Sequence, residues 1–139
     1  MAFSGPVEDR LAIRELIDTY ADAVTRNDAA AWAATWAQDG VWSIPDGNGQ
    51  TLTAYGREAI VALWTEAMKQ FPGLVFQAWP GAITINGPRA AIRSYTCEAY
   101  RGETSATIVR GSYDDICVKQ GDQWRFYRRT FTILASRQR

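Results

Sequence analysis

The chain of 139 residues carries 15 Lys and Arg against 15 Asp and Glu, and it contains no histidine. This length predicts a single domain over residues 1–139, and the balanced charge argues against a nucleic-acid-binding protein. The lack of histidine excludes His-based catalytic triads, imidazole metal sites and a histidine pH switch.

The first half of the chain is predicted to be mainly helical. A first helix is indicated by apolar residues that recur on one helical face, namely Ile13, Leu16, Ile17, Tyr20 and Val24. Asp28 is placed to cap a second short helix that runs through Trp36. A strand over Val41–Ile44 and a turn-rich loop follow, before a third helix whose apolar face carries Ile60, Leu63, Trp64, Ala67, Met68 and Phe71.

The second half is predicted to form antiparallel strands. Two short strands, Leu74–Trp79 and Ala82–Ile85, precede Asn86 and Gly87, the strongest hairpin signal in the chain. Three longer strands follow, and they are predicted at Arg89–Tyr100, Thr104–Lys119 and Gln123–Leu134. Helices followed by long antiparallel strands are typical of the α+β class, with the helices packed on one face of a curved sheet.

Turn positions predict the register of the three long strands. If Tyr100 pairs with Thr104 and Lys119 pairs with Gln123, alternation assigns one set of side chains to the face that meets the helices. This predicted inner face carries Ala91, Arg93, Tyr95, Cys97, Val109, Gly111, Tyr113, Asp115, Cys117, Arg129, Phe131 and Ile133. Cys97 and Cys117 are then too far apart for a disulfide.

Charged residues on this mainly apolar face have two interpretations. A pocket lined by aromatic residues, with Arg93, Arg129 and Asp115 among them, is typical of a small-molecule site. Alternatively, Arg129 and Asp115 form a structural ion pair, and Arg93 reaches the rim of the sheet. The sequence leaves both interpretations open.

Other sequence features give no sign of a membrane protein, a metal protein or an exported protein. No apolar run approaches the roughly 20 residues that span a bilayer, and the N-terminus lacks the pattern of a signal peptide. Two cysteines are too few for a four-cysteine zinc site. We therefore expect a cytoplasmic protein without a metal or cofactor, which does not bind nucleic acid or membranes and whose partner is a small-molecule ligand.

Several segments together resemble the nuclear-transport-factor-2-like, or SnoaL-like, superfamily, whose members are cone-shaped α+β domains. The resemblance covers nearly the whole chain, and it implies N-terminal helices packed on the concave face of a curved, largely antiparallel sheet. The segments that carry it are residues 12–21, Asn27 and Asp28, residues 36–40, residues 55–60 and residues 121–126.

Within this superfamily the chain resembles a branch of lyases that includes hexachlorocyclohexane dehydrochlorinase, scytalone dehydratase and bile-acid dehydratase. Those enzymes use an Asp that orients a His, and the His removes a proton. The matching positions here are Thr25 and Gln77, and neither side chain is a general base near neutral pH. The resemblance therefore implies that this Asp–His dyad is missing.

The resemblance also suggests which other groups would carry chemistry in the cone. Ketosteroid isomerase places a tyrosine at the position of Tyr20, while its base position matches the apolar Ile44 and its protonated Asp falls near Asp115. We predict Tyr20, Arg93, Asp115 and Arg129 as catalytic residues, with a Tyr20 pKa lowered by nearby arginines. The predicted substrate-binding residues are Trp42, Ile44, Gln77, Tyr95, Tyr113 and Phe131.

Three functions fit these features. The first is a cofactor-independent lyase or isomerase that uses proton transfer for elimination, double-bond migration or retro-aldol-type cleavage of a small hydrophobic, aromatic molecule. The second is a non-catalytic protein that binds such a ligand and has lost the dyad. The third, again by resemblance, is a structural subunit like the small subunits of ring-hydroxylating dioxygenases. Superfamily members commonly form dimers or trimers through the outer sheet face, so a homodimer or homotrimer is expected.

Overall fold

The structure is a computed structural model that describes residues 1–138. These residues form three helices and seven strands. The helices are α1 (Val7–Arg26), α2 (Ala29–Ala34) and α3 (Arg57–Met68). The strands are β1 (Phe3–Ser4), β2 (Trp36–Pro45), β3 (Thr51–Tyr55), β4 (Val75–Asn86), β5 (Arg89–Arg101), β6 (Ala106–Gln120) and β7 (Gln123–Gln138).

All seven strands form one curved sheet in the order β1-β4-β5-β6-β7-β2-β3. The pairs β1–β4 and β2–β7 are parallel, and the other neighbours are antiparallel. The helices pack on the concave face, so the predicted α+β fold is confirmed. The sequence did not indicate β1 and β3, which are short edge strands with little periodicity of their own.

Helix α1 forms because its apolar residues repeat on one face, and that face covers the sheet. Ile13, Ile17 and Tyr20 are all at most 2% exposed. The helix ends at Asn27, whose left-handed backbone (φ 53°) stops the helical path. Asp28 then caps α2 by accepting a hydrogen bond from the Ala31 backbone N–H at 3.0 Å, as predicted.

Helix α2 is shorter than predicted because Trp36 is already part of the sheet, where it pairs with Phe126 of β7. The indole of Trp32, at the centre of α2, stacks on Trp64 of α3 with ring centres 4.5 Å apart. Trp32 and Trp36 are fully buried. This aromatic core joins the short helix to α3 and to the sheet.

In the β4–β5 hairpin, the turn agrees with the prediction, whereas the strand before the turn does not. Asn86 pairs with Arg89 across Gly87, whose φ of +62° suits glycine, so the predicted turn is confirmed. The two short strands predicted before it are one strand, β4, interrupted by a register shift between Pro80 and Ala82.

The register between β5 and β6 corrects the predicted inner face of β5. Arg101 pairs with Ala106, and the turn is closed by a hydrogen bond from the Gly102 N–H to the Ser105 carbonyl. The register differs from the predicted one by three residues, an odd number, so every side chain of β5 lies on the opposite face. The predicted inward positions of Ala91, Arg93, Tyr95 and Cys97 are wrong.

The predicted face of β6 and β7 is confirmed. Gly111, Tyr113 and Asp115 of β6 are buried beneath the helices, as is Arg129 of β7. A register shift between Ile116 and Cys117 places Asp115 directly opposite Arg129. Cys97 and Cys117 are both free thiols, as expected.

Candidate active site

A cavity of about 350 Å³ lies between the concave face of the sheet and the helices α1 and α3. Most of its wall is apolar, because these elements bring their buried sides together here. The apolar part of the wall includes Val24, Ile44, Trp64, Met68, Phe71, Leu74, Phe76, Val109 and Phe131. This volume lies within the range of small-molecule sites in proteins.

Three polar side chains meet at the inner end of this cavity. The indole N–H of Trp42 donates a hydrogen bond to the Tyr113 hydroxyl at 3.1 Å, and the hydroxyl of Tyr20 lies 3.5 Å from the same oxygen. Because Tyr113 accepts from Trp42, its own hydroxyl hydrogen is free to reach Tyr20 or an acceptor on a ligand. Trp42, Tyr20 and Tyr113 therefore form a hydrogen-bond-donating end of the cavity.

The two tyrosines remain protonated at neutral pH. Burial raises the pKa of Tyr113 well above its ordinary value. Burial also raises the pKa of Tyr20, although the charge of Arg129 works in the opposite direction. The predicted lowering of the Tyr20 pKa is therefore wrong, because loss of water outweighs the neighbouring cation. In this site the phenols act as hydrogen-bond donors.

Asp115 and Arg129 form a buried ion pair behind this wall. The Arg129 Nε–H donates to Asp115 Oδ1 at 2.8 Å and its Nη2–H donates to Asp115 Oδ2 at 3.1 Å. The Ser94 hydroxyl accepts from Arg129 and donates to Asp115, both at 3.3 Å. Each of the three residues is at most 3% exposed, so the two charges satisfy one another inside the protein.

Aromatic rings separate the Arg129 guanidinium from the cavity. Its central carbon lies 3.7 Å from the ring centre of Tyr113, 4.4 Å from Tyr20 and 4.0 Å from Phe126. Burial by itself lowers the pKa of Arg129, but the Asp115 carboxylate raises it above its usual value. Neither Asp115 nor Arg129 lines the cavity. The geometry favours the structural ion pair over the polar pocket wall.

Three of the predicted site residues lie on the outer face of the sheet. Arg93 is exposed, and its Nε–H donates to the Tyr95 hydroxyl at 3.1 Å. Gln77 is exposed beside Cys97 on the neighbouring strand. The prediction that Arg93, Tyr95 and Gln77 line the cavity is therefore wrong, and for Arg93 and Tyr95 the register of β5 is the cause.

Phe76 is the side chain that β4 turns into the cavity at the level of Gln77. The Thr25 hydroxyl accepts a hydrogen bond from the Phe76 backbone N–H at 2.9 Å, and it lies 3.3 Å from the Phe76 carbonyl, to which it donates. Thr25 thus fastens the end of α1 to the cavity wall. Of the predicted residues, Tyr20, Trp42, Ile44, Tyr113 and Phe131 line the cavity.

Glu98 of β5 is a cavity residue that is missing from the predicted inner face, because the predicted register turns it outward. It is partly buried, and no other Asp or Glu of residues 1–138 lines the cavity. Burial raises its pKa to about 7. The side chains of β5 that face the helices are those of Ile92, Ser94, Thr96 and Glu98. The correct length of the β5–β6 turn would therefore have identified Glu98 as an inward residue.

The described part of the chain shows neither a metal site nor a membrane-spanning helix. Within residues 1–138, no three Asp, Glu or Cys side chains are grouped closely enough to hold a metal ion together. None of the helices in the same range has the length and apolar character needed to cross a bilayer.

Comparison with known proteins identifies the fold. Residues 6–130 match the family of the SnoaL-like domain, and a search of curated proteins gives no match. A scytalone dehydratase-like protein from Novosphingobium aromaticivorans superposes with a TM-score of 0.83 at 24% identity, covering 94% of this chain and 87% of that one. Hexachlorocyclohexane dehydrochlorinase (LinA) type 2 gives 0.80 at 14% identity, with 96% and 90% covered.

A third solved structure carries a different assignment. It is a protein from Novosphingobium aromaticivorans described as an aromatic ring hydroxylase, with a TM-score of 0.78, 25% identity and coverage of 95% of this chain and 93% of that one. Proteins of the same fold are thus assigned to dehydration, dehydrochlorination and hydroxylation. The shared fold alone does not select among these reactions, which depend on the side chains of each cavity.

Proposed function

The chain belongs to the SnoaL-like domain family, and on this basis we propose that it is a cofactor-independent lyase or isomerase of a small, largely apolar molecule. The proposal is supported by one observation above all. A mainly apolar cavity of about 350 Å³ ends in the hydroxyls of Tyr20 and Tyr113. This arrangement combines apolar binding with hydrogen-bond donors at a single place.

Protonated hydroxyls suit a reaction in which negative charge develops on a substrate oxygen. Elimination next to a carbonyl, double-bond migration and retro-aldol cleavage all pass through an enolate-like state. The Tyr113 hydroxyl, oriented by Trp42 at 3.1 Å, is a donor fixed before the substrate arrives. One such donor accelerates a reaction by roughly 100–1000-fold when it acts on a developing oxyanion.

The charge of the cavity wall indicates which charge the ligand should carry. Lys and Arg are absent from the described residues that line the cavity, and Arg129 is neutralised by Asp115 behind the tyrosines. An anionic group would therefore lose its water without gaining a cation. We expect a neutral aromatic ligand whose oxygen accepts a hydrogen bond from Tyr113.

The proposed function is tested with a panel of small neutral aromatic compounds, for which binding and turnover are measured separately. Quenching of tryptophan fluorescence reports binding, because Trp42 and Trp64 line the cavity. Mass spectrometry and NMR of the same mixtures report elimination, isomerisation or cleavage products. Turnover that falls in Tyr113→Phe supports the enzyme. Binding of the whole panel without any product contradicts it and favours the ligand-binding protein.

We also propose that the protein is a homodimer or homotrimer that associates through the outer sheet face. Trp79, Ile108 and Leu134 on this side of the sheet are between 46% and 59% exposed. Light scattering coupled to size-exclusion chromatography measures the mass in solution. A monomer at micromolar concentration would contradict the proposal.

A further inference from the structure

Glu98 is an unpartnered carboxyl group in the wall of the cavity. Within residues 1–138 no hydrogen bond or ion pair engages its side chain, while three of the other polar side chains that line the cavity, Tyr20, Trp42 and Tyr113, bond to one another. A carboxylate held in an apolar surrounding without a partner lowers the stability of the protein. Such a group in a native structure calls for an explanation, and use by a ligand or a reaction is one. This contrast with the satisfied Asp115 singles Glu98 out.

We propose that Glu98 is the proton-accepting residue of this cavity, and that the substrate is an uncharged carbonyl compound with an acidic C–H on the carbon next to the carbonyl. This inference rests on the proposed lyase or isomerase function. It adds the residue that accepts the proton and the chemical class on which it acts.

Strand register supplies the spacing between the two ends of the site. Glu98 and Tyr113 lie on neighbouring strands, and the strand partner of Tyr113 is Ser94, four residues from Glu98. Four residues of strand span about 13 Å between backbone positions. The phenol and the carboxyl both line the same cavity from these positions, and their long side chains shorten this separation, so one small molecule can contact both.

The proton transfer follows from this placement. The carbonyl oxygen accepts a hydrogen bond from the Tyr113 hydroxyl, and the Glu98 carboxylate takes the proton from the acidic carbon. The electron pair of the broken C–H bond moves into the new carbon–carbon double bond, and the carbonyl oxygen becomes an enolate oxygen. Return of the proton to another carbon gives isomerisation, whereas loss of a β-leaving group with its bonding pair gives elimination.

The ionisation of Glu98 suits a base that works at neutral pH. Burial raises its pKa to about 7, so a large share is ionised at that pH, while its conjugate acid is weak enough for the base to be effective. The tyrosines are not alternatives, because burial raises their pKa values. Asp115 is not one either, since Arg129 and Ser94 occupy both of its oxygens.

Deuterium exchange tests the base without knowledge of the natural substrate. The probe is β-tetralone, an uncharged aromatic ketone with acidic C–H groups, in deuterated water with exchange followed by proton NMR. We expect the protein to accelerate exchange, with a rate that rises with pH and levels off above about 7. Glu98→Gln should reduce this acceleration by about 100-fold or more while β-tetralone affinity, read by tryptophan fluorescence, stays within about threefold.

Two controls separate the role of Glu98 from general effects. Glu103→Gln makes the same chemical change at an exposed position of the β5–β6 turn and should exchange at the parent rate. Tetrahydro-β-naphthoate has a similar shape to the ketone but carries a negative charge, and it should bind at least about tenfold more weakly. Equal binding of this anion overturns the proposed substrate class.

The remaining outcomes distinguish this inference from the proposed function. Parent-rate exchange in Glu98→Gln, with loss of exchange in Tyr113→Phe, overturns the assignment of Glu98 and leaves a proton-transfer enzyme. If β-tetralone binds without exchange, or neither binds nor exchanges, the proposed base and substrate class are both wrong. Product formation from another compound of the panel would then still support the lyase or isomerase function.

Discussion

The guanidinium of Arg129 lies 3.7 Å from the centre of the Tyr113 ring and holds the Asp115 carboxylate through two hydrogen bonds. Tyr113 thus separates a buried ion pair from an apolar cavity. Its ring rests on the charge pair, and its hydroxyl faces the ligand space. We infer that Arg129 and Asp115 act on the site by positioning Tyr113.

Asp115→Asn should destabilise the protein by about 3–5 kcal/mol, because it leaves the buried Arg129 charge without its counterion. Replacing both partners, as in Asp115→Leu with Arg129→Met, should cost clearly less than the sum of the two single changes. Urea unfolding of the four proteins measures this coupling. Additive losses would show that the two side chains do not stabilise one another.

Tyr113→Phe should cost more than Tyr20→Phe, both in stability and in ligand affinity. The first change leaves the buried Trp42 N–H without its acceptor at 3.1 Å, a loss of about 1–3 kcal/mol. The second removes only a contact at the limiting distance of 3.5 Å, with an expected loss of about 0.5–1 kcal/mol. Urea unfolding and β-tetralone titration measure both effects, and equal losses in the two variants would contradict the proposed order.

Helical periodicity predicted α1, its buried face and the Asp28 cap correctly, because these features depend on residues close together in the chain. The inner face of β6 and β7 was also predicted correctly. The predicted register is one residue off beside the turn, and the shift between Ile116 and Cys117 makes the error two residues at Asp115 and Arg129, which keeps both on the predicted face. Glu98 was not, because the length of one turn decides which face of β5 is inside. The error in the length of this turn therefore placed Arg93 in the predicted site and left Glu98 out of it.

The depth of Asp115 and Arg129 is another feature that strand alternation cannot reveal. Both were correctly placed on the inner face, yet they lie behind the cavity wall rather than in it. Their exclusion depends on the rings of Tyr20, which comes from helix α1, and of Phe126, which precedes Arg129 on β7. Whether aromatic rings cover such an ion pair depends on how the helix packs on the sheet, which the alternation of residues along one strand does not reveal.

Gly111→Ala should reduce the space available to a ligand at a modest cost in stability. A Cβ atom at this position would overlap the tip of the Phe131 ring and lie 3.0 Å from the Thr96 hydroxyl oxygen. Phe131 is only partly buried, so its ring can move into the cavity. We expect a loss of about 1 kcal/mol in stability and a fall of about tenfold in β-tetralone affinity, or about 1.4 kcal/mol.

The companion change Phe131→Ala tests the cause of that effect. In the Gly111→Ala background it removes the displaced ring and should restore space for the ligand. Titration of the single and double variants with β-tetralone gives the comparison. Unchanged affinity in Gly111→Ala, or no recovery in the double variant, would show that Phe131 does not enter the cavity.

Glu98→Gln should make the ligand-free protein more stable above neutral pH. Burial raises the Glu98 pKa from its usual 4.5 to about 7 in the folded protein, so between these values the folded state binds more protons than the unfolded state. The free energy of unfolding therefore falls as pH rises through this window. A neutral Gln removes this contribution, and above pH 7 the gain should be about 1–3 kcal/mol.

Urea unfolding at pH 5 and pH 8 measures this effect, with Glu103→Gln as the control at an exposed position. The variant and the parent should be close in stability at pH 5, where Glu98 is largely protonated in the folded protein, and should diverge at pH 8. A parallel loss at both values would instead mean that the Glu98 carboxylate has a stabilising partner. In that case Glu98 would be a structural residue and not the free base of the cavity.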